Sequence, residues 1–548
     1  MKKILALTLA AVLALSVTLT GCGSNSNGAA GSAATDGKQL SVQIGPNPES
    51  IDPALNVTTD GSTMILHAFE TLLTLDQNNQ IQPGQAESWE VSEDNMTWTF
   101  HLRPNLKWSD GTDLTANDFV YTWKRAASPE TAAPYADTAL GMVKGFDEAM
   151  AGNWDALAVS APDENTFIVE LGRPCTYFEQ IAAFVTLSPV QQATVEENGE
   201  SWATSPETYV SNGPFYMTDW VVGSHITLTK NPYYWNADAI KLDSIKFVLM
   251  EDDTASFTAY QSGEVLIARG VPSEEISSLV RAEDGGDFHV APIMGTYYLT
   301  INTQREYFQD VRVRQALSLV IDRDFVSKVL MQGTYSPAHS LVGPGIGDAD
   351  PSVAFMDQAN NGQPYIDNSN MEANLEKAKA LMAEAGYPNG EGFPVISYLT
   401  NDTGYHKTVA EYLQQVWGEL GITMSVDIVE WSSSTSMRRA GDFDIGRNGW
   451  IFDYNDPSSL LECLMTGNGN NDGKYSNPEY DATMELSYNT TDVNERFEAL
   501  HHAEDILMED MVVLPIAYYN SYWLQSPKLT GSWVSPCGYY YLMYSDIV

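Results

Sequence analysis

Basic residues are scarce in this chain. Its 548 residues include 28 Lys and Arg against 72 Asp and Glu, for a formal charge of −44. A polyanion needs a basic footprint, so nucleic-acid binding is excluded as the main function. Broad electrostatic adhesion to anionic lipid is disfavoured for the same reason. The acid surplus serves solubility first and also suits cationic or zwitterionic ligands. Cysteine is rare too: Cys22, Cys175, Cys463 and Cys537, none at zinc-ribbon spacing. With Cys22 set aside, the odd remainder excludes a complete internal disulfide framework. One bridge plus a free thiol, or three buried thiols, both fit. Catalytic constellations are missing as well. There is no His-Glu-x-x-His helix, P-loop or Gly-x-Ser-x-Gly elbow. His501 and His502 are adjacent, so on a helix their rings point apart and do not share a metal easily. The stretch starting at Asp76 has Ile81 where a calcium loop needs glycine. Asp442 and Asp444 flank an apolar Phe443 with no nucleophile nearby. In so long a chain this favours binding over chemistry, with no enzyme activity, cofactor or metal expected.

The first residues add a direction. Lys2 and Lys3 precede an apolar run from Ile4 to Leu19, followed by Thr20-Gly21-Cys22. A basic start and a short apolar segment read as a secretory signal. The run is short for a bilayer span, which needs about 20 apolar residues. Leu19-Thr20-Gly21-Cys22 resembles a bacterial lipobox, which implies acylation of Cys22 and an extracytoplasmic body anchored to the cell membrane. Residues 23–38 are small and polar, as in a flexible tether. No later run reaches span length.

A chain this long exceeds one hydrophobic core, so two or three lobes are expected. Met96, Trp98, Phe100 and Leu102 alternate with polar residues and predict a strand. Thr115, with Asp118 three residues on, predicts a helix start carrying Phe119, Val120 and Trp123. Phe167-Val169-Leu171 and Ile245-Phe247-Leu249 alternate again. A helix with Leu375, Ala378, Met382 and Ala385 on one face should end at Gly386. Another, with Val409, Leu413, Val416 and Leu420, should end at Gly421. Ile422, Met424, Val426 and Ile428 then form a strand, which makes half of a βαβ unit. The class is mixed α/β.

Residues 97–125, from Thr-Trp-Thr-Phe-His-Leu-Arg-Pro through Trp-Ser-Asp-Gly-Thr to Trp-Lys-Arg, closely resemble the signature of the extracellular solute-binding proteins of the peptide/nickel class. These serve ATP-binding-cassette (ABC) importers. Ser211-Asn212-Gly213-Pro214-Phe215, Lys230-Asn231-Pro232-Tyr233-Tyr234-Trp235, Val311-Arg312-Val313-Arg314-Gln315-Ala316-Leu317 and Tyr475-Ser476-Asn477-Pro478-Glu479-Tyr480-Asp481 match in order. The similarity runs from about Leu40 to the end. It implies a periplasmic-binding-protein-like fold of two hinged lobes with an inserted subdomain. Residues 40–68, 205–305 and 512–548 would form the first lobe, 69–204 the insertion and 306–511 the second lobe. One departure is Leu266, in Ser262-Gly263-Glu264-Val265-Leu266, where aspartate is usual; an altered local hydrogen bond is expected there.

Gly449-Trp450-Ile451-Phe452-Asp453-Tyr454-Asn455-Asp456-Pro457 narrows the likeness to oligopeptide-binding lipoproteins. By that resemblance Asp453 pairs with the ligand ammonium, and Gly449, Trp450 and Ile451 line the cleft. Pro48, Glu49 and Ser50 supply backbone partners from the opposing lobe. Trp431 is a weaker cleft candidate. Asp456 before Pro457 reads instead as a structural helix start. The partners implied are an oligopeptide and the membrane permease subunits, with the receptor a monomer. Dipeptides, nickel complexes or oligosaccharides are alternative ligands, and an anchored hydrolase is the alternative from another class.

Overall fold

The computed structural model describes residues 37–280, 286–401 and 405–548. The signal segment and Cys22 lie outside the described residues. The architecture rests on one mixed sheet of eleven strands. Its order runs from Met424–Val429 through Ile396–Asn401, Ile445–Ile451, Phe288–Ile301 and Val513–Gln525 to Ile267–Ala268, Gln39–Gly45, Ser244–Leu249, His225–Lys230 and Phe215–Val221. The short strand Ser336–Pro337 pairs beside this path, on Val513–Gln525.

Two large apolar clusters lie along the sheet. The first draws on residues 40–249, with Ile267, Tyr454, Trp523 and the chain end around Tyr540–Met543. The second draws on residues 294–517. A small third cluster gathers Val248, Val265, Ile276 and Leu524. Phe288–Ile301 and Val513–Gln525, paired antiparallel, run from one large core to the other. Their ladder shifts register twice: residues 293–295 oppose Tyr519 alone, and between the pairs Tyr297–Ala517 and Tyr298–Pro515 the residue Ile516 is left over.

The local patterns form as their chemistry dictates. In Thr97–Leu102 the residues Trp98, Phe100 and Leu102 are buried, and the strand joins a separate antiparallel sheet with Ala86–Val91, Thr166–Glu170 and Val159–Asp163. Helix Ala116–Ala126 follows; the Asp118 carboxylate accepts the Thr115 N–H at 2.8 Å, an acid answering the orphan donors of a first turn. Helix Met371–Glu384 is followed by Gly386 with φ +96°, and helix His406–Gly418 by Gly421 with φ +78°. These are left-handed positions that glycine occupies without penalty. Met424–Val429 then pairs parallel with Ile396–Asn401, which completes the βαβ unit. At Leu266 the backbone carries the load: its N–H donates to Ser41 O at 2.8 Å and its carbonyl accepts from Ser526. The side chain packs on the first core.

The three described cysteines are free and buried. Asp444, one of the dismissed carboxylates, accepts from Tyr307 Oη and Ser397 N at 2.8 Å each, a structural role. The helix after Pro457 spans Ser458–Leu461, one residue later than the sequence suggests. Asp456 still accepts the Ser458 N–H at 3.0 Å.

Candidate functional site

Strand Ile445–Ile451 positions the central residues. Period two puts Arg447, Gly449, Ile451 and, just beyond the strand, Asp453 on one face. The other face turns inward: Gly446, Asn448 and Phe452 are buried. On one side the strand pairs along its whole length with Gly295–Ile301. On the other, Ile396–Asn401 meets it only at Ile445 and Gly446. From Arg447 to Ile451 no described strand pairs with that edge.

The turn after the strand is fixed by backbone and buried charge. Phe452 N donates to Met294 O at 2.8 Å, and Asp453 N to Ser459 Oγ at 3.0 Å. Asp456 and Arg496 form a two-pronged buried ion pair at 2.7 and 2.8 Å. The Arg496 guanidinium lies 5.3 Å from the centre of the Tyr177 ring, which stacks on Tyr454 at 4.6 Å and 3°.

The Asp453 carboxyl therefore faces a chamber of about 390 Å³, shared with Phe69, Glu70, Phe184, Tyr234 and Trp235. A smaller adjoining space of about 150 Å³ also reaches Asp453, bounded by Asn56–Thr59, Tyr135 and Ile451. Burial pushes the Asp453 carboxyl up to about 7, against the hydrogen bond that the Tyr135 hydroxyl donates to it. Among the described residues no Lys or Arg forms an ion pair with Asp453. A buried carboxylate held by one phenol is under-compensated, and a cation entering the chamber would relieve that cost.

The other expected residues are spread along the same face. Ile451 is exposed and borders the smaller space. Trp450 packs against the second core, its indole N–H at 3.5 Å from Ser459 Oγ. At Gly449 a Cβ would lie 2.2 Å from Tyr519 Oη, so only glycine lets that ring approach. Gly449→Ala is expected to destabilise the fold by about 1–3 kcal/mol by overpacking. Tyr519→Phe in the same chain should recover part of the loss in urea unfolding. Trp431 stays exposed and lies over Arg447, at 5.1 Å from guanidinium to ring. Glu49 is exposed, Ser50 Oγ accepts the Asp52 N–H, and neither borders the chamber or the smaller space. The segment that does share the smaller space with Asp453 is Asn56–Thr59, which leads into the first helix, Thr59–Ala68.

Sequence reasoning missed Tyr135, Asn56–Thr59 and Arg447. Arg447 is surrounded by rings rather than acids. Its guanidinium sits 5.1 Å from the Tyr297 ring, and Nη2 donates to Tyr519 Oη at 3.0 Å. Arg447 Nε and the neighbouring His406 Nδ1 are buried with no hydrogen-bond partner among the described residues. Burial, and then Arg447, pushes the His406 imidazole down to about 3, so it stays neutral. The same-parity spacing of Arg447 and Asp453 was the available signal.

The strand and the turn after it thus carry a guanidinium with no acid ion-pair partner among the described residues and, six residues later, an under-compensated carboxylate. No group of three potential metal ligands occurs among the described residues. The mixed α/β fold, with this chamber beside the central sheet, defines the class as an α/β solute-binding protein. Residues 80–472 match the family model described as bacterial extracellular solute-binding proteins, family 5 Middle, and the chain belongs to that family. It is a substrate-binding protein and not an enzyme. It is 34% identical over 507 residues to the periplasmic oligopeptide-binding protein OppA of Salmonella typhimurium, covering 92% of this chain and 91% of that one. It is 33% identical to the oligopeptide-binding protein OppA of Bacillus subtilis, covering 95% of each. The crystal structure of Haemophilus influenzae OppA in complex with RPPGFSPFR superposes with a TM-score of 0.76 at 31% identity, over 94% of this chain and 99% of that one.

Proposed function

We propose that this chain is the lipid-anchored receptor of an ABC importer and that it captures oligopeptides for uptake. The observation that carries the reading is Asp453, desolvated in a chamber and lacking a basic partner among the described residues. A free ammonium is the constant positive group of a peptide, and a charge-assisted bond from it answers the carboxylate. Arg447, with its unused Nε, suits the constant negative group. The strand edge between them has no described strand partner from Arg447 to Ile451; with Arg447 O already taken by Arg438 and Gly449 N by Asn448 Oδ1, its remaining groups suit main-chain pairing, which gives affinity without sequence preference. Asn56–Thr59 would bound the ligand from the first lobe, and Glu49 and Ser50 would act from a greater distance. Closure of the two lobes on the ligand would present the loaded form to the permease. Acylated Cys22 and the small polar tether would hold the receptor at the cell membrane as a monomer.

Calorimetry with a short peptide and its N-acetylated counterpart tests the reading. Acetylation removes the charge that Asp453 answers and is expected to weaken binding by about 2–4 kcal/mol, the range for stripping one half of a desolvated pair. Equal affinity for the two forms would refute it. Arg447→Met is expected to reduce the preference for a free C-terminal carboxylate over the amide, read from the affinity ratio of the two peptides.

A further inference from the structure

The two large cores also meet through Tyr454. Among the described residues from 294 to 517, it alone belongs to the first apolar cluster. Its ring partner there is Tyr177, which opens helix Phe178–Ala182. Phe178 and Ile181 anchor that helix in the first core, and Tyr177 O accepts the Gln180 N–H at 2.9 Å. The Tyr177 and Tyr454 rings are buried and parallel, 4.6 Å apart at 3°. Helix Val493–Asp510, rooted in the second core by Phe497 and Leu500, brings the Arg496 guanidinium to 5.3 Å from Tyr177. A second contact crosses the other way. The Arg173 guanidinium lies 4.5 Å over Tyr488, which packs on the second core and donates its hydroxyl to Glu462 at 3.1 Å. Arg173, Tyr177, Tyr488 and Arg496 border neither the chamber nor the smaller space.

Parallel buried rings attract beyond their area burial, and a guanidinium at a ring face adds to this where water is excluded. These contacts exist only while the two cores touch. Separation would expose both rings, take Arg496 off Tyr177 and take Arg173 off Tyr488. Apart from Tyr454, the cluster does not reach the space where a guest would lie, so its energy does not depend on which guest is present. A contact that favours the closed arrangement raises the apparent affinity of every ligand that needs that arrangement, by the change in its population.

We infer that Tyr177 and Tyr454, flanked by Arg496 and Arg173, form a latch that sets how far the two lobes rest closed and so scales affinity for all guests alike. This role rests on the reading of a two-lobed peptide receptor. Asp453 chooses the guest, and the latch sets the strength common to all of them.

The test compares the intact protein with Tyr177→Leu, which keeps apolar bulk and removes the ring. Small-angle X-ray scattering without peptide is expected to give the variant a larger radius of gyration. With saturating tri-alanine the two radii should agree. Calorimetry with tri-alanine and tri-lysine should show both affinities falling about tenfold, with their ratio unchanged. An unchanged radius without peptide, unchanged affinities, or a loss confined to one peptide would overturn the latch and leave peptide capture in place. Should Tyr177→Leu fail to fold, Arg173→Met, at a half-buried position, is read in the same two ways with an expected loss of about threefold. If the native protein binds neither peptide, the peptide reading fails, and the scattering comparison still decides the latch.

Discussion

Asp453→Asn is expected to weaken peptide binding by about 2–4 kcal/mol, or roughly 30-fold to 1,000-fold in Kd. Asparagine keeps the shape and can still accept from Tyr135, so the loss isolates charge. The pH dependence supplies a sharper signature. The free carboxyl titrates near 7 because burial disfavours its ionised form. An ammonium bound against it favours the ionised form, so the complex has the lower pKa. Binding below pH 7 must then release a proton. Affinity is expected to fall about tenfold per pH unit as pH drops below 7, until the carboxyl of the complex itself titrates. The Asp453→Asn variant should show a flat profile over the same range.

The same substitution should have the opposite effect on the ligand-free fold. A carboxyl raised from its ordinary 3.8 to about 7 stabilises the folded state only in its protonated form. That contribution is fully present below pH 4 and is lost as pH rises to 7, after which the penalty is constant. Asp453→Asn should therefore match the native protein at pH 4 and exceed it at pH 8 by about 1–4 kcal/mol in urea unfolding. A variant that binds worse and folds better marks a residue kept for its ligand. Equal stability at both pH values would place the carboxyl in water.

The second large effect concerns the pair behind the site. Arg496→Met is expected to cost about 3–5 kcal/mol of stability, because it strands a buried Asp456 carboxylate. Both side chains are nearly inaccessible, at 2% and 4% of their full exposure. Arg496→Met with Asp456→Asn should be milder than Arg496→Met alone, since no uncompensated charge then remains. A double variant as unstable as the single one would show that packing on Tyr177, rather than the ion pair, sets the cost. The contrast between the two aspartates is instructive. Three residues apart, Asp456 has its guanidinium within the fold and Asp453 pairs with none among the described residues, so one carboxylate is spent on structure and the other is the one proposed to take the ligand's ammonium.

Much of the local structure was legible. Alternation marked Thr97–Leu102 and Met424–Val429, because a half-buried strand records its faces at every second residue. Gly386 and Gly421 marked helix ends, because their positive φ values exclude most other residues. The pairing of Phe288–Ile301 with Val513–Gln525 leaves no local trace, since each strand is satisfied by a partner more than two hundred residues away. Site legibility divides the same way. Asp453 stood out through its motif. Tyr135 could not, because a tyrosine before a five-residue helix looks like packing until the fold brings it to Asp453. Asn56–Thr59 carried a cue in Thr58, whose hydroxyl accepts the Gly61 N–H at 3.1 Å to start a helix, yet nothing in the sequence says what lies opposite.

The interruption at residues 293–295 has a mechanical meaning. Three residues there face one, so flexure concentrated at that point would leave the ladders on either side unbroken. Met294 is bonded through its carbonyl to Phe452 N and through its own N–H to Pro536 O. A small torsion at this joint would be passed straight to the neighbour of Asp453, which would couple the proposed closure of the lobes to the proposed grip on the ammonium.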